Sequence, residues 1–294
     1  MSTFDPSYEP RQGSRNLTHC DADWSALRIV VAGLGISGFA AADALSERGA
    51  IVAAVSADAT SDIIERARIL EILDVDVRLG AEHLLDVPDG TELVVTSPGL
   101  RPDHPLLLAA AARGIPVWGE VELAWRMRAE SGAAPWITIT GTNGKTTTVK
   151  MLASILRAAG LRATSAGNVG TPLLEAVLHP EPYDVLAVEL SSFQLHCPRS
   201  VRPVASVCLT LAPDHHDWHG ALEPSTQAKP NAPRASASTR TTAGRNTANS
   251  AATMPCWPIL ARQHLASSRG GPSRDRHRNR SREATIRTRS TART

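Results

Sequence analysis

The stretch Trp136–Thr148 reads Trp-Ile-Thr-Ile-Thr-Gly-Thr-Asn-Gly-Lys-Thr-Thr-Thr, and the fold of the second half of the chain follows from it. The β-branched residues at its start predict a buried strand. A loop is predicted at Gly141–Gly144, and a helix over Lys145–Ala159 that ends at Gly160. A strand, a glycine loop, Lys-Thr and a helix in this order predict a phosphate cradle, in which backbone N–H groups and the positive helix end attract phosphate oxygens. The two glycines enclose only two residues, whereas the usual phosphate loop has four residues there.

The composition divides the chain into two parts. Residues 230–294 contain 13 Arg, no Lys and 2 acidic residues, which gives a net charge of +11, while residues 1–229 carry −9. Four cysteines without a Cys-x-x-Cys pair favour a reducing compartment. No run approaches the roughly 18 apolar residues of a membrane span, and the start lacks the pattern of a signal peptide. We therefore expect a cytoplasmic protein without a membrane partner, and we favour a monomer.

A second glycine-rich turn follows the first predicted strand, Arg28–Ala32. Gly33–Gly38 reads Gly-Leu-Gly-Ile-Ser-Gly and leads into a predicted helix, Phe39–Arg48, as in dinucleotide-binding folds. The next strand, Ile51–Val55, is followed by Ser56 where a ribose-binding acidic residue is expected, with Asp58 two residues later. Phosphate contact and tight strand–helix packing both need small residues, so both interpretations stay open.

Strands and helices alternate through the rest of residues 28–211. The predicted helices are Ile63–Leu73, Leu106–Arg113 and Val121–Met127, and the predicted strands are Leu93–Thr96, Ile115–Trp118, Leu161–Ser165, Tyr183–Leu190 and Pro203–Leu211. This alternation predicts two α/β modules with mainly parallel sheets and helices on both faces. The linker-like Ser131–Pro135 separates them.

Polar residues follow several of these strands, at the edge where open α/β sheets bind ligands. Ser97-Pro98-Gly99 follows Leu93–Thr96, and Gly167-Asn168-Val169-Gly170 follows Leu161–Ser165. Glu189 ends its strand and is placed to coordinate Mg²⁺. Asp214–His219 contains three His and two Asp, and we favour a site role over a structural one.

Together these motifs resemble the Mur ligase family, and within it the ligases that add D-glutamate. The resemblance covers residues 28–229, and it rests on motifs in the family's order: Gly33–Gly38, Ser97–Gly99, Gly141–Thr147, Gly167–Gly170, Glu189-Leu-Ser-Ser-Phe-Gln194 and Asp214-His215. Folylpolyglutamate synthetases share the ATP loop but lack a domain like residues 28–130. A ligase of that kind remains an alternative.

Residues 1–24 are polar and irregular, which predicts a flexible leader. The resemblance implies an α/β protein with a Rossmann-like UDP-sugar-binding domain (25–130) and a truncated P-loop-type ATPase domain (131–229). It also implies a reaction of peptidoglycan precursor synthesis. ATP phosphorylates the carboxylate of UDP-N-acetylmuramoyl-L-alanine, and the amine of D-glutamate displaces the phosphate to form an amide. ATP and Mg²⁺ are the implied cofactors.

By matching positions, the resemblance also implies roles for individual residues. The implied ATP-binding residues are Gly141, Thr142, Asn143, Gly144, Lys145, Thr146 and Thr147. The implied substrate-binding residues are Gly35, Ile36, Ser37, Ser97, Pro98, Gly99, Asn168 and Ser191. The implied catalytic residues are Lys145, Glu189, His215 and Lys229, the last as the family's carbamylated lysine. Thr146 and Glu189 would hold one Mg²⁺, and His215 a second.

The resemblance stops at about Pro230, where Arg, Ala, Ser, Thr and Pro dominate. Residues 230–294 show no sustained period of 2 or 3.6, so we expect disorder there. A basic tail of this kind can bind nucleic acid. We prefer to interpret it as a frameshifted translation, because the composition changes directly after a family motif, and we therefore expect no nucleic-acid partner.

Two further functions remain open. The Gly33–Gly38 turn alone would suit a nucleotide-binding oxidoreductase, which would bind NAD and no UDP-sugar. The chain could also be a non-catalytic remnant that still binds nucleotide.

We predict that this chain has little or no ligase activity. Positioning of reactants can supply roughly 7–11 kcal/mol of barrier reduction. In the resembling enzymes a third domain, to which residues 230–294 show no likeness, contributes part of that positioning. A coupled ADP-release assay with UDP-N-acetylmuramoyl-L-alanine, D-glutamate, ATP and Mg²⁺ measures this. D-glutamate-dependent turnover within about tenfold of a typical enzyme's roughly 10 s⁻¹ would contradict the prediction.

Overall fold

The first half of the protein is a five-stranded parallel sheet with four helices, in a computed structural model that describes residues 16–210. The strands are β1 Arg28–Ala32, β2 Ile51–Ser56, β3 Asp76–Leu79, β4 Leu93–Thr96 and β5 Val117–Gly119. The helices are α1 Ile36–Ser46, α2 Ser61–Ile72, α3 Pro105–Ala112 and α4 Glu120–Arg126. We call these elements the first module.

The second module is a four-stranded parallel sheet with two helices. Its strands are β6 Trp136–Thr140, β7 Ala163–Gly167, β8 Val185–Glu189 and β9 Ala205–Cys208, and its helices are α5 Lys145–Ala158 and α6 Leu173–Val177. The strand order is β7-β8-β6-β9, and each neighbouring pair is parallel. The predicted α/β class with two parallel sheets is confirmed.

The strand order of the first sheet, β3-β2-β1-β4-β5, creates a crevice between β1 and β4. From β1 the chain proceeds to β2 and β3 on one side, and it then returns to β4 and β5 on the other. Loops leaving β1 and β4 therefore diverge, and open parallel sheets bind ligands at such a point. Here the loops are Gly33–Gly38 and Ser97–Gly99, which were predicted to contact substrate.

One apolar cluster runs from the first module into the second. It includes the fully buried side chains of Trp24, Met127, Trp136 and Leu173. The ring of Trp125 meets Trp136 edge to face, with centroids 4.9 Å apart and planes at 89°, an arrangement that aromatic pairs favour. Because the modules share this cluster, burial of apolar area holds them together.

The other face of each sheet is also covered by a helix. Leu106, Leu107 and Ala110 of α3 cover the first sheet, in a cluster with Val30 and Val94. In the second module, α5 packs in the same way through its own apolar stripe, which consists of Val149, Leu152, Ala153 and Leu156. Helices on both faces were predicted from the alternation, and this arrangement is confirmed.

The predicted leader, residues 1–24, is too long. Leu17 and Trp24 are buried in the shared cluster. The indole Nε1 of Trp24 donates to the backbone oxygen of His19 at 3.1 Å, and the backbone N–H of Cys20 donates to the oxygen of Arg128 at 3.0 Å. Residues 16–24 therefore belong to the folded part, because their tryptophan fills the core. Residues 1–15 lie outside the described residues.

Other differences concern short elements and element boundaries. Helix α1 begins at Ile36, three residues before its predicted start, because the backbone N–H of Phe39 already donates to the oxygen of Gly35 at 2.9 Å. Strand β3 and helix α6 were not predicted. Each has only four or five residues, too few to show a period, and β3 lies at the edge of its sheet.

Two predicted site residues, His215 and Lys229, lie outside the described residues, as does the Arg-rich segment 230–294. Among the described helices, none is both long and apolar enough to cross a membrane.

The second and third glycines of the Gly33–Gly38 turn, Gly35 and Gly38, have different surroundings. A Cβ on Gly38 would clash with the backbone oxygen of Gly33, whereas a Cβ on Gly35 would meet nothing within 4 Å. Gly38 is buried in α1 and Gly35 is exposed. Tight strand–helix packing therefore accounts for Gly38, and Gly35 stays open to a ligand.

We expect Gly38→Ala to lower the free energy of unfolding by about 1–3 kcal/mol through overpacking, although alanine is the better helix former by about 1 kcal/mol. Gly35→Ala is the matched control, and it should cost less than about 1 kcal/mol. Urea denaturation of both variants measures the difference. A stabilised Gly38→Ala variant would show that the close approach to Gly33 is not a constraint.

Candidate functional site

The strand–loop–helix arrangement predicted after β6 is present, and Thr210, two residues after the end of β9, holds the loop by hydrogen bonds. Gly144 has a positive φ of 81° and precedes α5, whose first N–H groups have no intrahelical acceptor. The ammonium of Lys145 donates to the backbone oxygens of Gly141 at 2.9 Å and Thr142 at 3.1 Å. The lysine thus lies across the loop, at the positive end of the helix.

Two loop amides that we expected to face phosphate have protein partners. The backbone N–H of Thr142 donates to the backbone oxygen of Thr210 at 2.8 Å, and that of Asn143 donates to its hydroxyl at 3.0 Å. A phosphate bound in this arrangement would therefore use the amides at the start of α5. Thr146 and Thr147 lie in that first turn, and Thr147 is exposed.

A buried carboxylate, Glu189, lies beside this loop at the carboxyl end of β8. Its side chain is 1% exposed. Thr146 Oγ1 donates to Glu189 Oε2 at 2.9 Å, and Asn168 Nδ2 donates to Glu189 Oε1 at 2.9 Å. Three residues predicted for metal or substrate binding therefore form one hydrogen-bonded group, which we call the Glu189 cluster.

No basic side chain in residues 16–210 pairs with Glu189, although a buried carboxylate is costly without a cation. Its two partners are neutral donors. The described residues contain no group of three or more His, Cys, Asp or Glu side chains able to hold a metal. A cation at the Glu189 cluster would therefore be bound by one carboxylate, a threonine hydroxyl, water and ligand oxygens, a donor set typical of Mg²⁺.

A cavity of about 830 Å³ lies between the two modules. The first module lines it with residues of three strand-end loops, Gly33–Ser37, Ser56–Asp58 and Ser97–Arg101, and with His104 and Glu120. The second module adds Gly167–Gly170, Pro172 and Gln194. Most of the predicted substrate-binding residues line this one cavity, namely Gly35, Ile36, Ser37, Ser97, Pro98, Gly99 and Asn168.

Two of the predicted serines have structural roles in this arrangement. Ser97 Oγ donates to the backbone oxygen of Gly33 at 3.0 Å and so fixes the glycine turn. Ser191 does not line the cavity. Its hydroxyl donates to Gln194 Oε1 at 3.2 Å and accepts the backbone N–H of Gln194 at 3.2 Å. Gln194 lies at the cavity instead, and Ser191 shapes its turn.

Sequence reasoning missed the buried carboxylates of α4. Glu120 is 3% exposed, and Glu122 is fully buried. A polar residue directly after strand β5 was a signal for Glu120, since strand ends form the site, but the helix was predicted as Val121–Met127 and no site role was assigned to it or to Glu120. His104, also missed, caps α3 by accepting the backbone N–H of Leu106.

The two carboxylates have opposite pKa shifts. Burial raises the pKa of Glu120, and hydrogen bonds from Ser37, the amide of Leu173 and Gln194 offset this only in part. Burial would also raise the pKa of Glu122. There the hydrogen bonds from Ser200, the amide of Arg199 and Arg126 outweigh it, so the pKa is lowered. Arg126 also forms an ion pair with Glu122 at 2.6 Å.

In the second module, a parallel strand leads into a glycine–lysine–threonine loop, and the neighbouring strand ends in the buried Glu189. This arrangement is typical of phosphate-loop α/β proteins. Sequence comparison identifies the family of the chain. Residues 27–119 match the family described as Mur ligase MurD-like, N-terminal domain, and residues 139–231 match the Mur ligase middle domain. The chain belongs to the Mur ligase family.

Similar relatives are UDP-N-acetylmuramoylalanine–D-glutamate ligases from several bacteria. The chain is 55% identical over 207 residues to UDP-N-acetylmuramoylalanine–D-glutamate ligase of Streptomyces avermitilis, covering 70% of this chain and 44% of that one. It is 53% identical over 204 residues to the ligases of the same name from Streptomyces coelicolor and Thermobifida fusca, in each case covering 69% of this chain and 43% of the other. The chain thus spans less than half the length of these relatives.

We expect Glu120→Gln and Glu122→Gln to change stability with opposite pH dependence. The raised pKa of Glu120 means that its contribution to stability is present below pH 4.5, the usual value, and is lost as pH rises through the folded pKa. Glu120→Gln should therefore lessen the loss of stability above pH 4.5. The lowered pKa of Glu122 gives a contribution that is present above pH 4.5 and lost at lower pH.

Glu122→Gln should accordingly cost about 3–5 kcal/mol at pH 7, a cost that shrinks as pH falls below 4.5. Urea denaturation from pH 4 to 8 measures both variants against the unsubstituted chain. Parallel pH profiles for all three proteins would contradict the assignment.

Proposed function

We propose that this chain carries the UDP-sugar and ATP sites of a ligase that adds D-glutamate to UDP-N-acetylmuramoyl-L-alanine. The single observation that supports this most is the Glu189 cluster beside Lys145. A buried carboxylate without a basic partner, next to a phosphate loop, suits a nucleotide bound with Mg²⁺. The family membership and the relatives named above support the substrate pair.

The cavity between the modules suits the UDP-sugar substrate. Its volume of about 830 Å³ is in the range of small-molecule sites. The Gly33–Gly38 turn opens α1, and Gly35 leaves room for a diphosphate at this helix N-terminus. Ser56 and Asp58 line the same cavity and can contact a ribose. Asn168 and Gln194 bring the second module to the substrate.

The phosphate loop suits ATP. The ammonium of Lys145 lies at the loop, where it donates to the backbone oxygens of Gly141 and Thr142. When ATP binds, it would release these oxygens and bind phosphate instead. Thr146 and Glu189 would hold Mg²⁺, which offsets negative charge on the phosphates when bound. His215 and Lys229, which lie outside the described residues, are proposed for the second metal.

The proposed reaction transfers the γ-phosphoryl group of ATP to the alanine carboxylate of the UDP-sugar. The amine of D-glutamate then attacks the acyl phosphate, and an amide, ADP and phosphate are formed. Lys145 would stabilise charge on the transferring group, and Asn168 would hold the acceptor near it. The reaction would take place in the cytoplasm, as part of peptidoglycan precursor synthesis.

Ligand titration tests this function directly. Calorimetric titration of the full chain with UDP-N-acetylmuramoyl-L-alanine, with ATP and Mg²⁺, and with NAD separates the candidates. Binding of the UDP-sugar and ATP supports the ligase sites. Tight NAD binding without UDP-sugar binding would show a nucleotide-binding oxidoreductase instead.

We predict that Lys145→Met weakens ATP binding by roughly tenfold to a hundredfold, because a charge-assisted hydrogen bond contributes about 1.5–3 kcal/mol. Lys150→Met is the matched control, since Lys150 is exposed on the same helix. It should leave the affinity within about twofold. Affinity for ATP is measured by titration with ATP and Mg²⁺. An equal loss of affinity in both variants would show that Lys145 attracts ATP only through its positive charge and makes no direct contact with phosphate.

A further inference from the structure

Glu120 contacts both modules at the base of the cavity. Ser37 Oγ, in the glycine turn of the first module, donates to Glu120 Oε2 at 2.6 Å. The backbone N–H of Leu173, the first residue of α6, donates to Glu120 Oε1 at 3.3 Å. One buried side chain thus joins the two halves of the proposed substrate cleft.

The segment that Glu120 holds leads directly to the Glu189 cluster. Leu173 follows the loop Gly167–Pro172, and Asn168 of this loop donates to Glu189 through both its backbone N–H at 3.0 Å and its side chain at 2.9 Å. The loop is therefore fixed at one end on Glu189 and at the other on Glu120.

This loop is also internally rigid. The backbone N–H of Gly167 donates to the oxygen of Thr171 at 3.1 Å, and that of Thr171 donates to the oxygen of Ser165 at 3.2 Å. A Cβ on Gly170 would lie 2.5 Å from the oxygen of Ser165. A short, internally bonded loop moves as a unit, so a shift of Leu173 reaches Asn168.

We propose that Glu120 is a positioning residue that couples ligand binding at the Gly33–Gly38 turn to the alignment of Asn168 and Glu189 at the phosphate site. This inference rests on the proposed function, in which the two sites bind the UDP-sugar and ATP. A ligand that contacts the glycine turn fixes the position of Ser37 and thereby that of Glu120 and Leu173, so the second ligand meets a Gly167–Pro172 loop that is already held in one position. The two ligands should therefore bind with positive coupling.

The test measures the dissociation constant of UDP-N-acetylmuramoyl-L-alanine with and without a saturating non-hydrolysable ATP analogue and Mg²⁺. The ratio of the two constants is the coupling factor, and for the full chain we expect it to be about fivefold or more. Thermal melting verifies that each variant is folded.

Two substitutions at Glu120 separate hydrogen bonding from packing. Glu120→Gln keeps both contacts, because its oxygen can accept the amide of Leu173 while its NH₂ donates to Ser37 Oγ. Its coupling factor should stay within about twofold of that of the unsubstituted chain. Glu120→Met has a similar length but no strong acceptor, and its coupling factor should fall towards one.

Glu122→Met is the matched control on the same helix. Glu122 is equally buried but holds a different segment, accepting the backbone N–H groups of Arg199 at 2.7 Å and Ser200 at 2.9 Å. The coupling factor of this variant should be retained. If Glu120→Met does not fold, Ser37→Ala removes the same link from the other side, and its coupling factor should fall towards one. If both variants fold, the double variant should lower the coupling factor no further than either substitution alone.

The outcomes distinguish this inference from the proposed function. If the unsubstituted chain binds neither ligand, the proposed function is overturned and the coupling with it. If both ligands bind, a coupling factor near one in the unsubstituted chain overturns this inference alone. The same holds if Glu120→Met keeps the factor, or if Glu122→Met loses it equally.

Discussion

The packing of the two modules against each other depends on the burial of α4. This short helix lies between the two sheets, and its carboxylates, Glu120 and Glu122, are shielded from water. A buried carboxylate must find hydrogen-bond donors in the protein, and here most of the donors belong to the second module, at Leu173 and at Arg199–Ser200. Apolar contact around Trp136 supplies attraction without direction, whereas these hydrogen bonds are directional and join defined points of the two modules.

The two carboxylates satisfy this requirement in different ways. Glu122 has a cationic partner, Arg126, and several further donors, so its charge is well compensated and its pKa is lowered. Glu120 has only neutral partners, and burial raises its pKa. The first arrangement suits a permanent anchor. The second leaves a carboxylate with neutral hydrogen-bond donors at a ligand cavity, and one of these donors, Ser37, belongs to the glycine turn.

The strand-end loops divide packing and binding among neighbouring residues. In the Gly33–Gly38 turn, Gly38 permits the close approach of α1 to the turn, while Gly35 stays open. Ser97 holds that turn in place, and Ser191 shapes the turn that places Gln194 at the cavity. A motif that reads as a set of ligand contacts therefore contains residues that build the site and residues that can touch the ligand.

The sequence by itself determined the α/β class, the parallel sheets, the phosphate loop and the residues of the Glu189 cluster. These features depend on local patterns: β-branched runs, glycines after strands, and polar residues at strand ends, which gather at one edge of any parallel sheet. Tertiary structure decided the burial of Trp24, strand β3, and the roles of Glu120, Glu122 and Ser191. Strand β3 has only four residues and is defined by its pairing with β2. Glu120 meets Ser37 across 83 residues of sequence. No local period predicts such a contact, because it arises only when the glycine turn and α4 come together in the folded first module.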